Sequence, residues 1–166
     1  MKRLIGMLVL AVAALLTACG PKETAPVAPE PDEDAIRREK WFGDAAKAPD
    51  ITWRSSGLGI RILAPGTGTP PLPTDTVRVH YTGRLKDGRV FDDSHARGKP
   101  SDFVVNRLIV GWAVAMPALK PGGRAQFFIP PVLGYGNMQA GDIPGNSGLI
   151  FEVELIAVNP EPAPRR

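Results

Sequence analysis

Cysteine is almost absent from this chain. Cys19 is the only one among 166 residues, so no disulfide can close within the chain and no cysteine cluster can hold a metal. Histidine is nearly as scarce, with only His80 and His95. No His/Cys/Asp group stands at ligand spacing, and neither Ser94-His95 nor Gly145-Asn146-Ser147-Gly148 has the form of a nucleophile elbow. No metal or cofactor is expected, and hydrolysis is a poor reading. A dominant charge is lacking as well. Removing Lys2 and Arg3 from the 20 basic residues leaves 18 against 17 acidic ones, a net charge near +1. That balance argues against nucleic-acid binding and against a strongly basic membrane-binding surface. Nor does the apolar run Leu4 to Leu16 reach the roughly 20 residues of a membrane-spanning helix.

What that run does fit is a leader. Lys2 and Arg3 precede it as a basic n-region, so residues 1–18 read as a signal peptide. Leu16-Thr17-Ala18-Cys19 looks like a bacterial lipobox, in which Cys19 becomes the first mature residue and carries lipid. The plainer alternative is a secreted protein whose Cys19 lies within the discarded peptide or is unmodified. Two or more acyl chains would anchor the chain stably, where one would be marginal. Gly20 follows the cysteine in place of a retention aspartate, which points to the outer membrane, facing the periplasm. Residues 19–50 read as the lipidated cysteine and a Pro/Ala/acidic linker. Its first portion, PKETAPVAPEPDED, is too poor in apolar groups to fold alone. Asp34 to Lys47 reads as a short helix, whose Trp41 and Phe42 either dock on a surface or stand exposed on a frayed linker. A folded domain is expected over residues 51–159 and a disordered tail over 160–166.

Within the domain, Val77, Val79 and Tyr81 alternate with Arg78, His80 and Thr82, the period-2 pattern of a half-buried strand. Lys86-Asp87-Gly88 supplies hairpin chemistry, and the chain returns through Val90 and Phe91 into Asp92, Asp93 and Ser94. If the two runs pair, Tyr81 and Phe91 border one cavity with Asp92 at its edge. Leu58, Ile60 and Ile62 alternate in an earlier strand, Phe103 to Val105 suggests a short one, and Ser94 to Asp102 reads as a polar loop or bulge. Ala125, Phe127 and Ile129 mark a later strand, and Leu149, Phe151, Val153 and Leu155 the last, with Glu152 and Glu154 outward. Between Arg107 and Leu119 the spacing turns helical, with Leu108, Trp112 and Ala115 on one stripe. Pro117 should end or kink that helix. One short helix among antiparallel strands predicts the α+β class, a curved antiparallel β-sheet wrapped around the helix.

The stretch VHYTGRLKDGRVFDDS (79–94) resembles the signature of the FKBP-type peptidyl-prolyl cis-trans isomerases. The resemblance continues in order through FVVNRLIVGW (103–112), GGRAQFFIPP (122–131), Gly134-Tyr135-Gly136, Ile143-Pro144 and LIFEVEL (149–155), and covers roughly Trp53 to Val158. It implies an FKBP-like fold and a pocket that takes a proline ring. Trp112 would form the floor, with Tyr81, Phe91, Ile109 and Phe151 as walls. Asp92 would lie beside the twisting carbonyl, Tyr135 would offer its hydroxyl to the substrate backbone, and Leu108 and Ile143 would border the entrance. Phe103 matches a family aromatic, and Arg97 is placed to pair with Asp92. Gly134, Gly145 and Gly148 depart from the family pattern, and four glycines between Gly136 and Gly148 suggest a more mobile loop over the pocket.

Two functions are compatible with such a pocket. One is prolyl isomerisation in exported proteins (EC 5.2.1.8). The other is a non-catalytic module or envelope chaperone that grips proline segments without turnover. The partners implied are proline-containing polypeptides, a membrane reached through the lipid on Cys19 and, by family resemblance, macrolide inhibitors of the rapamycin type. No nucleic acid is expected, and the N-terminal region is too short for the helical dimerisation of some bacterial relatives, so a monomer is expected.

Overall fold

Along strand β3, Thr76–Arg84, burial alternates residue by residue, with Val77, Val79, Tyr81 and Gly83 facing inward. The computed structural model describes residues 32–161. The expected signal peptide, Cys19 and the tail residues 162–166 lie outside the described residues. The remaining strands are β1 (Thr52–Trp53), β2 (Gly59–Ala64), β4 (Val90–Asp93), β5 (Ser101–Val104), β6 (Arg124–Ile129) and β7 (Leu149–Val158). They form one antiparallel sheet in the order β1-β2-β6-β7-β3-β4. Strands β4 and β5 share the outer edge of β3, pairing with Thr82–Arg84 and with Thr76–Val79 respectively. The polar segment between them loops out, as its composition predicts. The β3–β4 turn closes through the Leu85 amide donating to the Arg89 carbonyl at 2.9 Å. Gly88 there takes φ +86°, a backbone conformation open to glycine and strained for other residues.

The concave face holds the main core. Helix α2, Val110–Ala115, lies there with Trp112 and Ala115 buried among Val79, Phe127, Val153 and Leu155. It is only six residues long. Pro117 falls in a 3₁₀ turn, Met116–Ala118, directly after it, which is the early stop that its missing N–H and ring clash dictate. This is the expected α+β arrangement. One residue departs from the alternation: Ile62 is 43% exposed although Leu58 and Ile60 are buried. The ladder between β2 and β6 slips register between Ile62 and Ala64, where the strand leaves the core.

The convex face is covered too, and this corrects the expectation of a linker running to residue 50. Residues 33–42 form helix α1, Glu33–Phe42. Asp32 caps it, its carboxylate accepting from the Asp34 and Ala35 amides at 3.0 Å each, and Glu33 and Asp34 place negative charge in the first turn. Gly43, at φ +59°, ends it, and a 3₁₀ turn, Gly43–Lys47, follows. Phe42 is buried in a second small core with Ile51, Phe128 and Ile150, flanked by Trp41 and Trp53. Its ring meets Phe128 edge-on at 5.6 Å and lies tilted by 30° against Trp53 at 5.8 Å. Of the two readings of Trp41 and Phe42, docking is therefore the observed one. Gly148 makes it possible, since a Cβ there would sit 2.6 Å from the Trp41 backbone carbonyl and 2.6 Å from its Cβ. One of the three glycines that depart from the family pattern, Gly148, is thus the one on which α1 rests.

Candidate active site

Strand β3 delivers Tyr81 to the concave face because its period-2 burial points every second side chain inward. Across the β3–β4 hairpin, β4 brings Phe91 and Asp92 beside it. The turn before α2 contributes Leu108 and Ile109, the helix itself Trp112, the loop after β6 Tyr135 and Ile143, and β7 Phe151. All nine predicted pocket residues line one cavity of about 420 Å³. Phe103 and Arg107 complete its wall, so the family aromatic at 103 faces the pocket. Cys19 lies outside the described residues.

Trp112 sits at the base, only 3% exposed. Tyr81, Phe127 and Phe151 meet its indole edge-on, at 5.4, 5.9 and 5.2 Å between ring centres. Phe91 stands edge-on to Phe151 at 5.5 Å. These edge-to-face contacts lock the rings against one another. Gly83 is the space that permits them: a Cβ there would lie 2.6 Å from Phe91 and 2.7 Å from Phe151. In the sequence Gly83 merely ends the apolar alternation of Val77, Val79 and Tyr81. Its role in the site becomes visible only when the two rings are placed over it.

The polar side of the cavity is a closed set of contacts. The Tyr81 hydroxyl donates to Asp92 Oδ2 at 2.6 Å, and Arg97 pairs with Asp92 Oδ1. Arg97 also donates to the Tyr81 hydroxyl oxygen at 3.0 Å. Burial pushes the Tyr81 phenol above its ordinary pKa, and the bond to Asp92 raises it further, so the hydroxyl stays protonated through the neutral range. Behind it, the wholly buried Ser94 accepts from the Tyr81 amide at 2.8 Å and donates to the Tyr81 carbonyl at 3.2 Å. His80 Nδ1 lies 2.9 Å from the same Ser94 oxygen, and the His80 ring stacks on His95 at 4.3 Å. Ser94 is thus a brace for Tyr81 that no periodicity announced. Tyr135, 41% exposed, stands at the rim. The loop that carries it is tied by the Asn146 amide to the Gly136 carbonyl at 2.8 Å and by paired bonds between Ala140 and Ile143 at 3.0 Å. Gly145 fits under it, since a Cβ would meet the Asn137 carbonyl oxygen at 2.2 Å. That glycine therefore serves a close approach of two backbones.

Comparison with known proteins places this arrangement. Residues 68–156 match the FKBP-type peptidyl-prolyl cis-trans isomerase family. The chain belongs to that family. A probable FKBP-type peptidyl-prolyl cis-trans isomerase of Haemophilus influenzae is 41% identical over 151 residues, covering 90% of this chain and 61% of that protein. The crystal structure of FkpA from Escherichia coli superposes with a TM-score of 0.70 at 37% identity, covering 78% of this chain and 61% of the other. A peptidyl-prolyl cis-trans isomerase from Pseudomonas syringae pv. tomato superposes with a TM-score of 0.67 at 33% identity, covering 76% of this chain and 94% of its own. The FKBP-type chain described here thus spans about three fifths of the Haemophilus protein and of the FkpA chain. Its likeness to the family includes the elements that build the cavity, since β3, β4, β5, α2, β6 and nearly all of β7 fall within the matched residues.

Proposed function

We propose that the protein is a peptidyl-prolyl cis-trans isomerase acting on proline-containing segments of exported polypeptides. The observation that carries this reading is the cavity itself, whose base is a Trp112 edged by four aromatic rings and whose carboxylate is already paired with Arg97. Rotation about an Xaa-Pro bond faces a barrier of about 18–20 kcal/mol because the planar amide is resonance-stabilised. No bond has to be exchanged with a neighbour, so no acid, base or nucleophile is needed. The planar amide is strongly dipolar, and twisting removes that charge separation. A water-poor aromatic wall favours the twisted form over the planar one, which is the differential binding that catalysis requires. An acceleration of 10⁴-fold needs only about 5.4 kcal/mol of such preference. In this reading the proline ring rests on Trp112, Phe91 and Phe151 flank it, and the hydroxyl of Tyr135 meets the substrate backbone at the rim. Asp92, held by Tyr81 and Arg97, stands beside the carbonyl as it turns.

The lipobox at Leu16-Thr17-Ala18-Cys19 supports placing the chain in the cell envelope, anchored through lipid on Cys19, and Gly20 after the cysteine supports the outer membrane as its destination. Metabolic labelling with a radioactive fatty acid, abolished by Cys19→Ala, is the expected sign of that anchor. The activity is tested on the full chain in detergent with an Xaa-Pro peptide whose trans form alone is cleaved by a coupled protease. The slow phase should accelerate at micromolar protein. No acceleration would leave a module that binds proline segments without turning them over.

A further inference from the structure

The cavity wall carries two ionic side chains, and they are not equivalent. Asp92 is engaged on both oxygens, by Arg97 and by the Tyr81 hydroxyl, so its charge is answered inside the protein. Arg107 closes the short turn Val105–Arg107 ahead of α2, lines the same cavity and is exposed. Among the described residues no side-chain hydrogen bond or ion pair engages its guanidinium, whereas Arg61, Arg78, Arg97 and Arg124 each hold a carboxylate. Asp142 precedes Ile143 at the rim but is not part of the wall. The mouth of a largely apolar site therefore presents one unanswered positive charge.

We propose that Arg107 is a specificity-determining residue, through which the site prefers proline segments with Asp or Glu adjacent to the proline and disfavours those with Lys or Arg there. The proposal rests on the isomerase reading above and names its substrate class. Consecutive Cα atoms are about 3.8 Å apart, so a residue flanking a seated proline cannot leave the neighbourhood of the cavity mouth. A guanidinium offers a carboxylate two parallel donors and repels an ammonium. Because Arg107 is solvent-exposed, each effect is modest and sensitive to salt.

The test uses the full chain and peptides carrying Glu, Ala or Lys immediately before or after one proline, with exchange NMR to read isomerisation without a protease. The quantity read is the ratio of kcat/KM for the Glu and Lys peptides within one protein, which cancels any change common to both. One exposed pair changes a rate by at most about fivefold, and because the ratio combines attraction of Glu with repulsion of Lys, about two- to ten-fold in favour of Glu is expected at low salt, shrinking toward one in concentrated salt. Arg107→Glu should invert it. Arg54→Glu, an equal charge change in the β1–β2 turn outside the cavity wall, should leave it above one. Equal rates for all peptides, or a ratio that Arg54→Glu inverts as fully as Arg107→Glu, would overturn the proposal while leaving the isomerase reading intact. If no peptide is accelerated, that reading falls, and fluorescence anisotropy of dye-labelled Glu and Lys peptides decides the charge preference on binding alone. Equal affinities there would overturn it as well.

Discussion

At the scale of single residues, the site divides into groups that form the cavity and groups that hold them in place. Phe91 and Asp92 belong to the first kind, and both are only partly buried at the edge strand β4. Replacing Phe91 with Ala removes one wall of the cavity, and Asp92→Val removes the partner of Tyr81 and Arg97. Either change should lower kcat/KM about tenfold or more, corresponding to a loss of roughly 1.4 kcal/mol of transition-state preference. Melting temperatures should move little by comparison, because neither side chain belongs to the deep core. Unchanged kcat/KM in both variants would contradict the assignment of the site. Gly83 is of the second kind. Gly83→Ala has to push apart Phe91 and Phe151, and overpacking of this sort costs about 1–3 kcal/mol, read as a fall in the thermal midpoint.

At the scale of elements, the docking of helix α1 on the sheet is what the structure adds to the sequence. Gly148→Ala places a methyl group against the Trp41 backbone, and Phe42→Ala empties the small core on the convex face. Phe42→Ala should destabilise the protein by about 3 kcal/mol, toward the lower end for a buried phenylalanine because the cluster is peripheral. Gly148→Ala should raise hydrogen exchange in α1 before it is felt in β3. Both variants should keep their peptide kcat/KM at temperatures where they remain folded. Exchange in α1 that is identical in wild type and Gly148→Ala would show that the helix does not depend on this contact. The strands facing the concave side were legible because their apolar residues alternate, and the pocket was legible because a chain of family motifs runs through it. A helix over Asp34 to Lys47 was legible too, but its docking was not, because the segment's Pro-rich acidic beginning reads as linker. The signal lay elsewhere, in the unbroken apolar triplets Phe127-Phe128-Ile129 and Leu149-Ile150-Phe151. Runs of that kind mark strands covered on both faces, and Phe128 and Ile150 are the residues that α1 covers. Ser94 left no such trace, since a lone serine after two aspartates looks like any turn. A fragment starting at Asp50 would strip this cover from the sheet, so activity should be measured on chains that retain residues 32–49.

At the scale of the whole molecule, the carboxylates with depressed pKa values join segments distant in sequence. Hydrogen bonding and charge from Arg78 hold Asp102 below the ordinary carboxylate range, and Arg61 does the same for Asp50. Bonds from the Leu72 amide and the Asn159 side chain lower Asp75, which ties the approach to β3 to the end of β7. For Asp93, burial acts upward, but the amides of His95 and Ala96, the Thr82 hydroxyl and the His95 charge together outweigh it and the net shift is down. A carboxylate whose folded pKa lies below its unfolded value of about 3.9 stabilises the fold at higher pH and loses that contribution as pH falls through the folded value. All four shifts have the same sign, so the unfolded chain binds more protons than the folded one in this window. The thermal midpoint should therefore be level from about pH 8 to pH 5 and drop steadily below about pH 4. Asp102 offers the cleanest handle, because its two oxygens accept from Arg78 at 2.8 and 2.7 Å across the β3–β5 pair. With 43% of its side chain exposed, solvent discounts the pair heavily. Asp102→Asn should lower the midpoint by only about 1–3 °C at pH 7, as expected of a partly exposed pair. The decisive feature is convergence, since wild type and variant should melt ever closer together as pH falls toward 2 and the wild-type carboxyl gains its proton. A gap that stays constant down to that pH would mean that Asp102 acts through packing and not through its charge.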